Sequence, residues 1–173
     1  MDQDIFLNSF VIMYKCTTNS KLLDFQYRLL HNCLVTNTKL KQWAIQTNEL
    51  CTFCNAQPET TYHLLLHCQY SQNIWNQLFA YIAQHGNIFV TLDNNERILG
   101  VRGNSLSAFY NVICILTKQY IYACRCKNIL PNFFALIEKI RFEKYVEKTI
   151  AIKHGKITEW EKKWELLSHL EYL

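Results

Sequence analysis

The sequence predicts a mainly α-helical domain that carries one Cys-Cys-His-Cys knuckle, and three observations lead there. Glycine and proline are scarce, four and two in 173 residues, which leaves few of the turns a multi-strand sandwich needs. Apolar residues recur with a helical period through most of the longer segments. Cys51, Cys54, His63 and Cys68 fall within one short stretch, at spacings that suit a single tetrahedral Zn²⁺.

Taken in order, residues 21–34 place Leu22, Phe25, Leu29 and Leu30 on one helical face, with Ser20 as the expected N-cap. A short helix is expected over residues 39–43, just before the knuckle. Cys51 and Cys54 sit on a turn whose two intervening residues let both sulfurs converge. The Gln57-Pro58 loop then brings the chain back to a helix start that carries His63. Closing so short a loop costs little entropy, so metal binding would go mainly into ordering the knuckle. After Cys68, Ser71 is expected to cap a helix with Ile74, Trp75, Leu78, Phe79 and Ile82 on its apolar face, stopped by Gly86. Residues 87–104 read as irregular or a short helix, with Phe89-Val90-Thr91-Leu92 the one segment that could be a strand.

From Ser105 to about Lys127 the chain is apolar nearly all round, as a central buried helix would be. Pro131 is expected to open the next helix, running to about Lys153. Gly155 separates it from a last helix with an Ile157, Trp160, Trp164 and Leu167 stripe. No repeat, low-complexity tract or flexible linker interrupts this order. The expectation is one helical domain over 1–173, with a zinc-binding module at 20–86 and a basic helical extension at 87–173.

Half the residues are hydrophobic and 18% are charged, enough for a sizeable core and against wholesale disorder. Eight cysteines would suit a secreted disulfide framework, but Met1-Asp-Gln-Asp-Ile-Phe lacks the basic start of a signal peptide. There is no Asn-x-Ser/Thr acceptor, and apolar runs such as 112–117 fall far short of the about 20 residues a membrane span requires. A reducing intracellular setting follows, cytoplasmic and/or nuclear, with cysteines as metal ligands or small buried residues.

The net charge of +4 lies wholly in the second half, since residues 1–86 balance five basic against five acidic side chains. Arg141, Lys144 and Lys148 are spaced to share one helix face, with Lys139 and Lys153 near by. Such a stripe can neutralise phosphates in a sequence-tolerant, salt-sensitive way, and it fits a merely solvated helix face as well.

The fourth metal ligand is open from spacing alone. His63 and His67, four apart, lie on one helix face, whereas His63 and Cys68, five apart, diverge by about 140° on an ideal helix. Cys68 can join only if the helix ends or unwinds near His67. Cys124-x-Cys126 with Cys114 could suggest a second metal, but one residue between cysteines on a helix points the sulfurs about 200° apart, which favours buried apolar cysteines. His31 reads as a structural residue at a helix end, and Trp75 as core beneath the knuckle rather than a stacking platform. No carboxylate pair or nucleophile–His–acid constellation follows from spacing.

The stretch RLLHNCLVTNTKLKQWAIQTNELCTFCNAQPETTYHLLLHCQYSQNIW resembles the zinc-binding domain that follows the polymerase in non-LTR (LINE-type) retrotransposon reverse transcriptases. The resemblance is carried by Leu30-His31, Leu34, Thr36, Cys51, Cys54, Glu59-Thr60, His63-Leu64, Cys68 and Trp75. Tyr120-Ile-Tyr-Ala-Cys-Arg-Cys-Lys and Ile150-Ala-Ile-Lys are also similar to the C-terminal extension of some animal elements. The chain departs from the family at Val35, where Pro is frequent, and at Asn55-Ala56, where Gly is frequent. The resemblance implies Cys68 rather than His67 as fourth ligand, and a structural zinc. It further implies a role in gripping RNA or DNA beside a polymerase domain.

The parent polyprotein would be an RNA-directed DNA polymerase. This chain has neither the Asp-Asp pair of two-metal polymerisation, nor palm-domain length, nor an endonuclease segment. It therefore reads as a non-catalytic tail standing alone, a gene fragment or a truncated prediction. The alternative is a zinc-stabilised protein-interaction module that docks its Trp160/Trp164 stripe on a polymerase or another partner.

Overall fold

The structure is a computed structural model and describes residues 9, 11–12, 14–89, 91–103 and 106–170. Its helices are α1 (Ser20–Leu30), α2 (Asn37–Gln42), a π-helical turn (His63–His67), α3 (Gln69–Gly86) and α4 (Asn94–Leu99). They continue with α5 (Ser107–Cys126), α6 (Phe133–Lys153), α7 (Ile157–Trp164) and a 3₁₀ turn (Glu165–Leu167). Among the described residues there is no strand. Thr91 and Leu92 are irregular, and Val90 lies outside the described residues, as does the expected helix start Ser105.

Capping explains most of the boundaries. The Asn19 side chain accepts from the Lys21 N–H and so takes the N-cap place expected of Ser20. Asp93 and Glu96 form a reciprocal capping box that starts α4. Asn132, one residue beyond Pro131, caps α6 by accepting from the Ala135 N–H. The last residue of α3 is Gly86, but the left-handed position that ends the helix belongs to Asn87, at φ 54°. Gly86 serves packing instead: a Cβ there would stand 3.0 Å from Leu166 Cδ2.

Helix α5 is the axis of the molecule, buried on all sides along Phe109–Lys118. Helices α1, α4, α6 and α7 and the π-helical turn pack around it. One continuous core runs from Cys16 to Leu170, so the knuckle segment and the C-terminal helices bury their apolar faces together. Trp164 and Leu167 belong to this core, which turns the expected Trp160/Trp164 docking stripe inward. Among the described residues no helix is long and apolar enough to cross a membrane.

Helix α6 departs from the ordinary amphipathic pattern. Its inner face includes Glu143, Lys144 and Glu147, all buried, and each finds a partner. Asn19 Nδ2 donates to both Glu143 oxygens, at 2.9 and 2.8 Å. Lys163 Nζ and Trp164 Nε1 donate to Glu147 Oε2, at 2.6 and 2.8 Å. Lys144 Nζ donates to the carbonyls of Leu167, Ser168 and Leu170. Burying unpaired charge is costly, and these bonds offset that cost.

Candidate metal centre

The knuckle is a miniature hairpin. Leu50 and Pro58 form an isolated antiparallel bridge, Cys51 N donates to Gln57 O at 2.8 Å, and Glu59 N donates to Glu49 O at 2.7 Å. Its tip turns through Asn55, at φ 50°, whose N–H closes onto Cys51 O at 2.9 Å. That left-handed position suits glycine first and asparagine next. Asn55 thus takes a left-handed position that glycine would also suit.

The structure brings Cys51, Cys54, His63 and Cys68 together, with their four ligand atoms all within 4.8 Å of one another. Cys51 Sγ and Cys68 Sγ are 3.9 Å apart, and Cys54 Sγ lies 3.3 Å from His63 Nε2. A tetrahedral Zn²⁺ about 2.3 Å from each sulfur requires sulfurs roughly 3.8 Å apart. The donor set and the spacing therefore both fit a zinc ion with four protein ligands, which leaves no open position for a reacting water.

The π-helical turn resolves the spacing problem. Cys68 N donates to His63 O at 2.7 Å, a bond across five residues that widens the helix by one residue per turn. Residues five apart then come nearly in line, so Cys68 swings back beneath His63. The chain leaves the turn at Cys68, which is extended at φ −61° and ψ 133°. His67 is not part of the cluster: its Nε2 stands 3.3 Å from Asn94 Nδ2, at the start of α4.

Two carbonyls at the broken helix end are met by side chains from α3. Ser71 Oγ donates to Leu64 O at 2.6 Å and Trp75 Nε1 to Leu65 O at 2.8 Å. Ser71 is therefore a clamp on the turn rather than the expected N-cap, a place held by Cys68. Trp75 is fully buried core.

Electrostatics act differently on the donors of the cluster. Burial, and then the neighbouring His67, push the His63 imidazole pKa down, which keeps the ring in its neutral, ligating form. The shared hydrogen bond between Cys51 and Cys68 raises the first thiol's pKa and lowers the second's. Of these two thiols, Cys68 is the one that ionises first. It sits at the N-terminus of α3, where the N–H groups of Tyr70 and Ser71 also favour the thiolate.

A buried carboxylate ties the knuckle to the rest of the fold. Glu59 is fully buried. Its Oε2 accepts from Thr52 N and Oγ1, at 2.7 and 2.6 Å, and its Oε1 accepts from Asn37 N and Arg125 Nε, both at 2.9 Å. Arg125 Nη2 also reaches Asn37 Oδ1 at 2.8 Å. One side chain thereby joins the Cys51–Cys54 turn, the start of α2 and the end of α5. Spacing gave Glu59 no role beyond the resemblance. The signal that could have found the pair is a lone arginine at the end of an otherwise apolar helix.

The other candidate positions fall out as follows. Cys114 and Cys124 are buried and Cys126 is exposed, and among the described residues these three form no metal-holding group. His31 is the C-cap of α1, with its ring 4.1 Å from that of Tyr27. Of the basic stripe, Arg141 and Lys148 are half-buried at the surface of α6. Lys144 is not available to a ligand: it is 3% exposed and its ammonium is held by the three carbonyls of the C-terminal segment. Spacing grouped Lys144 with Arg141 and Lys148 on one face and could not show that residues 165–170 fold over it.

Residues 3–75 match the family described as zinc-binding in reverse transcriptase, a stretch that contains all four clustered ligands and Trp75. Over this segment the chain is similar to that zinc-binding accessory domain. No curated protein and no solved structure matches the chain.

Proposed function

We propose that the chain is a structural-zinc, nucleic-acid-binding module of a non-LTR (LINE-type) retrotransposon reverse transcriptase. In this reading Cys51, Cys54, His63 and Cys68 hold one Zn²⁺, and the module grips RNA or DNA beside a polymerase domain that supplies the chemistry. The convergence of the four donor atoms within the family-matched segment is the observation that carries it. The zinc fixes the knuckle and takes no part in a reaction, and the chain itself is not an enzyme. Its setting is intracellular, nuclear and/or cytoplasmic.

The knuckle contributes no electrostatic attraction, because three thiolates on one Zn²⁺ leave a net charge of −1. Phosphates are met instead by Arg141 and Lys148 on α6. Arg141 Nη1 is held 2.7 Å from Glu138 Oε1 in an exposed pair, of the kind that a phosphate can displace at small cost. Support for a docking stripe at Trp160/Trp164 is weak by comparison, since Trp164 is 1% exposed.

The test is a salt series on the zinc-loaded chain, preceded by metal analysis expected to return one zinc per chain. Binding to RNA and DNA should weaken steeply as salt rises. Replacing Arg141 and Lys148 together by Gln should lower the slope of log K against log salt by about 0.7–0.9 for each lost phosphate contact. No binding at low salt would remove the nucleic-acid reading and leave the zinc module standing.

A further inference from the structure

Three lysines gather at the seam where α1, the end of α5 and α6 meet. Asn19, the N-cap of α1, donates through Nδ2 to both oxygens of Glu143 and so draws the start of α1 onto α6. Tyr120 Oη donates to Asn132 O at 2.9 Å, which closes α5 onto the start of α6. Lys21 lies two residues beyond Asn19, Lys139 lies one turn before Glu143, and Lys127 is the C-cap of α5. The ion pairs of the described residues engage Lys41, Lys163, Arg28, Arg125 and Arg141, and none of these three lysines.

The three ammoniums are close enough to act on one another. Burial pushes the Lys139 pKa below its ordinary value, and the charges of Lys127 and Lys21 push it further, against the pull of Glu143. Burial raises the pKa of the Cys124 thiol on α5, and Tyr120, Lys127 and Lys139 oppose that rise. Repulsion between like charges destabilises the free chain and is relieved by a bound anion.

From Lys21 a groove of about 520 Å³ runs between α1 and α5, with Arg28 further along it and Gln119 and Tyr122 on its α5 side. Lys21 and Arg28 are seven residues apart and share one face of α1, about 10 Å apart along its axis. The acid on this groove, Asp24, is 3.0 Å from Arg28 in a pair that is more than half exposed, and such pairs are weak. Lys139 and Arg141 are two residues apart on α6 and so point about 200° apart. The seam is therefore not the face that carries Arg141 and Lys148.

We propose that this seam is a second phosphate-binding face, at which Lys21, Lys127 and Lys139 together hold the backbone of a nucleic-acid strand that continues along the α1–α5 groove. This assignment rests on the nucleic-acid reading above and is independent of Arg141 and Lys148. Contacts of this kind position a strand without reading its sequence. An acidic protein would also answer three cations, but lysine is depleted at protein interfaces, whereas a phosphate backbone gains from each ammonium it meets.

The test uses the zinc-loaded full chain and three probes of equal length: a dT oligonucleotide, an rU oligonucleotide and a DNA duplex. Replacing Lys21, Lys127 and Lys139 by Gln should lower the slope of log K against log salt. The drop should be about 0.7 per lost contact on the single strands and about 0.9 on the duplex. Arg at the same three positions should keep the slope, since positive charge carries the contact. Lys139 is half-buried, whereas Lys21 and Lys127 are exposed. Lys21→Gln with Lys127→Gln therefore leaves the fold undisturbed and should still show two of the three increments. Without nucleic acid this double variant should unfold at no lower urea than the wild type, because repulsion is relieved. An earlier midpoint would mean that the lysines serve the fold, and would overturn the site. So would an unchanged slope in the Gln variants while the wild type binds, which would leave Arg141 and Lys148 as the phosphate contacts. No binding by the wild type at low salt would remove the nucleic-acid reading and this face with it, and would assign the lysines to an acidic partner.

Discussion

The knuckle and the α5 bundle solve the same problem by opposite means. In the bundle, order comes from apolar burial: Phe109, Val112, Ile115, Leu116 and Ile121 of α5 are fully buried, and none of them carries a metal-ligating atom. In residues 51–59 the only large apolar side chain buried is Phe53. The rest of the order comes from backbone bonds, the four-donor cluster and the Glu59 carboxylate. A segment so small cannot bury enough apolar surface to offset its conformational entropy, so polar and metal bonds must carry it. The difference is one of cooperativity: the bundle should withstand the loss of any single polar bond, and the knuckle should not.

Removing the metal tests this most severely. Zinc binding in finger-sized segments is worth on the order of 10–16 kcal/mol and acts as folding free energy for whatever it orders. Chelation, or Cys68→Ser, should therefore strip hydrogen-exchange protection from the amides of residues 51–59. Most of the helical circular dichroism should remain, because the helices share a core that needs no zinc. Loss of all helical signal at once would show that the two regions are not separable.

Arg125 probes the seam between them. Removing one member of a buried ion pair leaves the other uncompensated, at about 3–5 kcal/mol. Glu59 would keep its bonds from Asn37 N, Thr52 N and Thr52 Oγ1, so Arg125→Met should fall near the low end, about 3 kcal/mol. Urea unfolding of the zinc-loaded chain measures it. The Thr52 amide should lose protection before amides of α5 do. An effect below about 0.5 kcal/mol would mean that the knuckle is docked by packing alone.

The two regions also differ in how much of them could be read from sequence. Helices α1, α3 and α5 were legible because their apolar period matches the face they bury, and their ends fall within a few residues of the expected ones. The donor types and spacing of the metal cluster were legible too. What decided between His67 and Cys68 in the fold was the π-helical turn. Hydropathy carries no mark of that turn, because His63–His67 has the pattern of an ordinary helix end. Helix α6 was legible as a helix but not as to its inner face, since its core side includes Glu143, Lys144 and Glu147. Their partners lie far off in sequence at Asn19, Lys163, Trp164 and the 167–170 carbonyls. Lys144 was misjudged for that reason: long-range hydrogen bonds, not periodicity, set its environment.

The charged exception to apolar order within α5 is Lys118, and it supplies the smallest and most specific test. Its ammonium is fully buried on α5 and donates to Gln26 Oε1 at 2.8 Å and Ile98 O at 3.0 Å, with no carboxylate among these partners. Burial pushes its pKa down to about 8 from 10.5. Below about pH 8 both folded and unfolded chains bind the proton, and the fold bears the full cost of a buried charge. Between about 8 and 10.5 the folded chain releases the proton while the unfolded chain keeps it, so stability rises with pH; above that range the cost is gone. The span corresponds to about 3 kcal/mol.

Cys16 and Cys114 act in the opposite direction, because burial pushes their thiols up to about 12 and about 11, and their contribution is lost as the unfolded thiols ionise. Comparing the wild type with Lys118→Met removes most of their effect, since burial is the first cause of both thiol shifts and the Lys118 charge a smaller one. Relative to that variant, the wild type should gain most of about 3 kcal/mol between pH 8 and pH 10, read by urea unfolding with zinc in excess. A difference that stays flat across this range would show that Lys118 does not change charge on unfolding there, and that α5 tolerates a buried cation through its two hydrogen bonds.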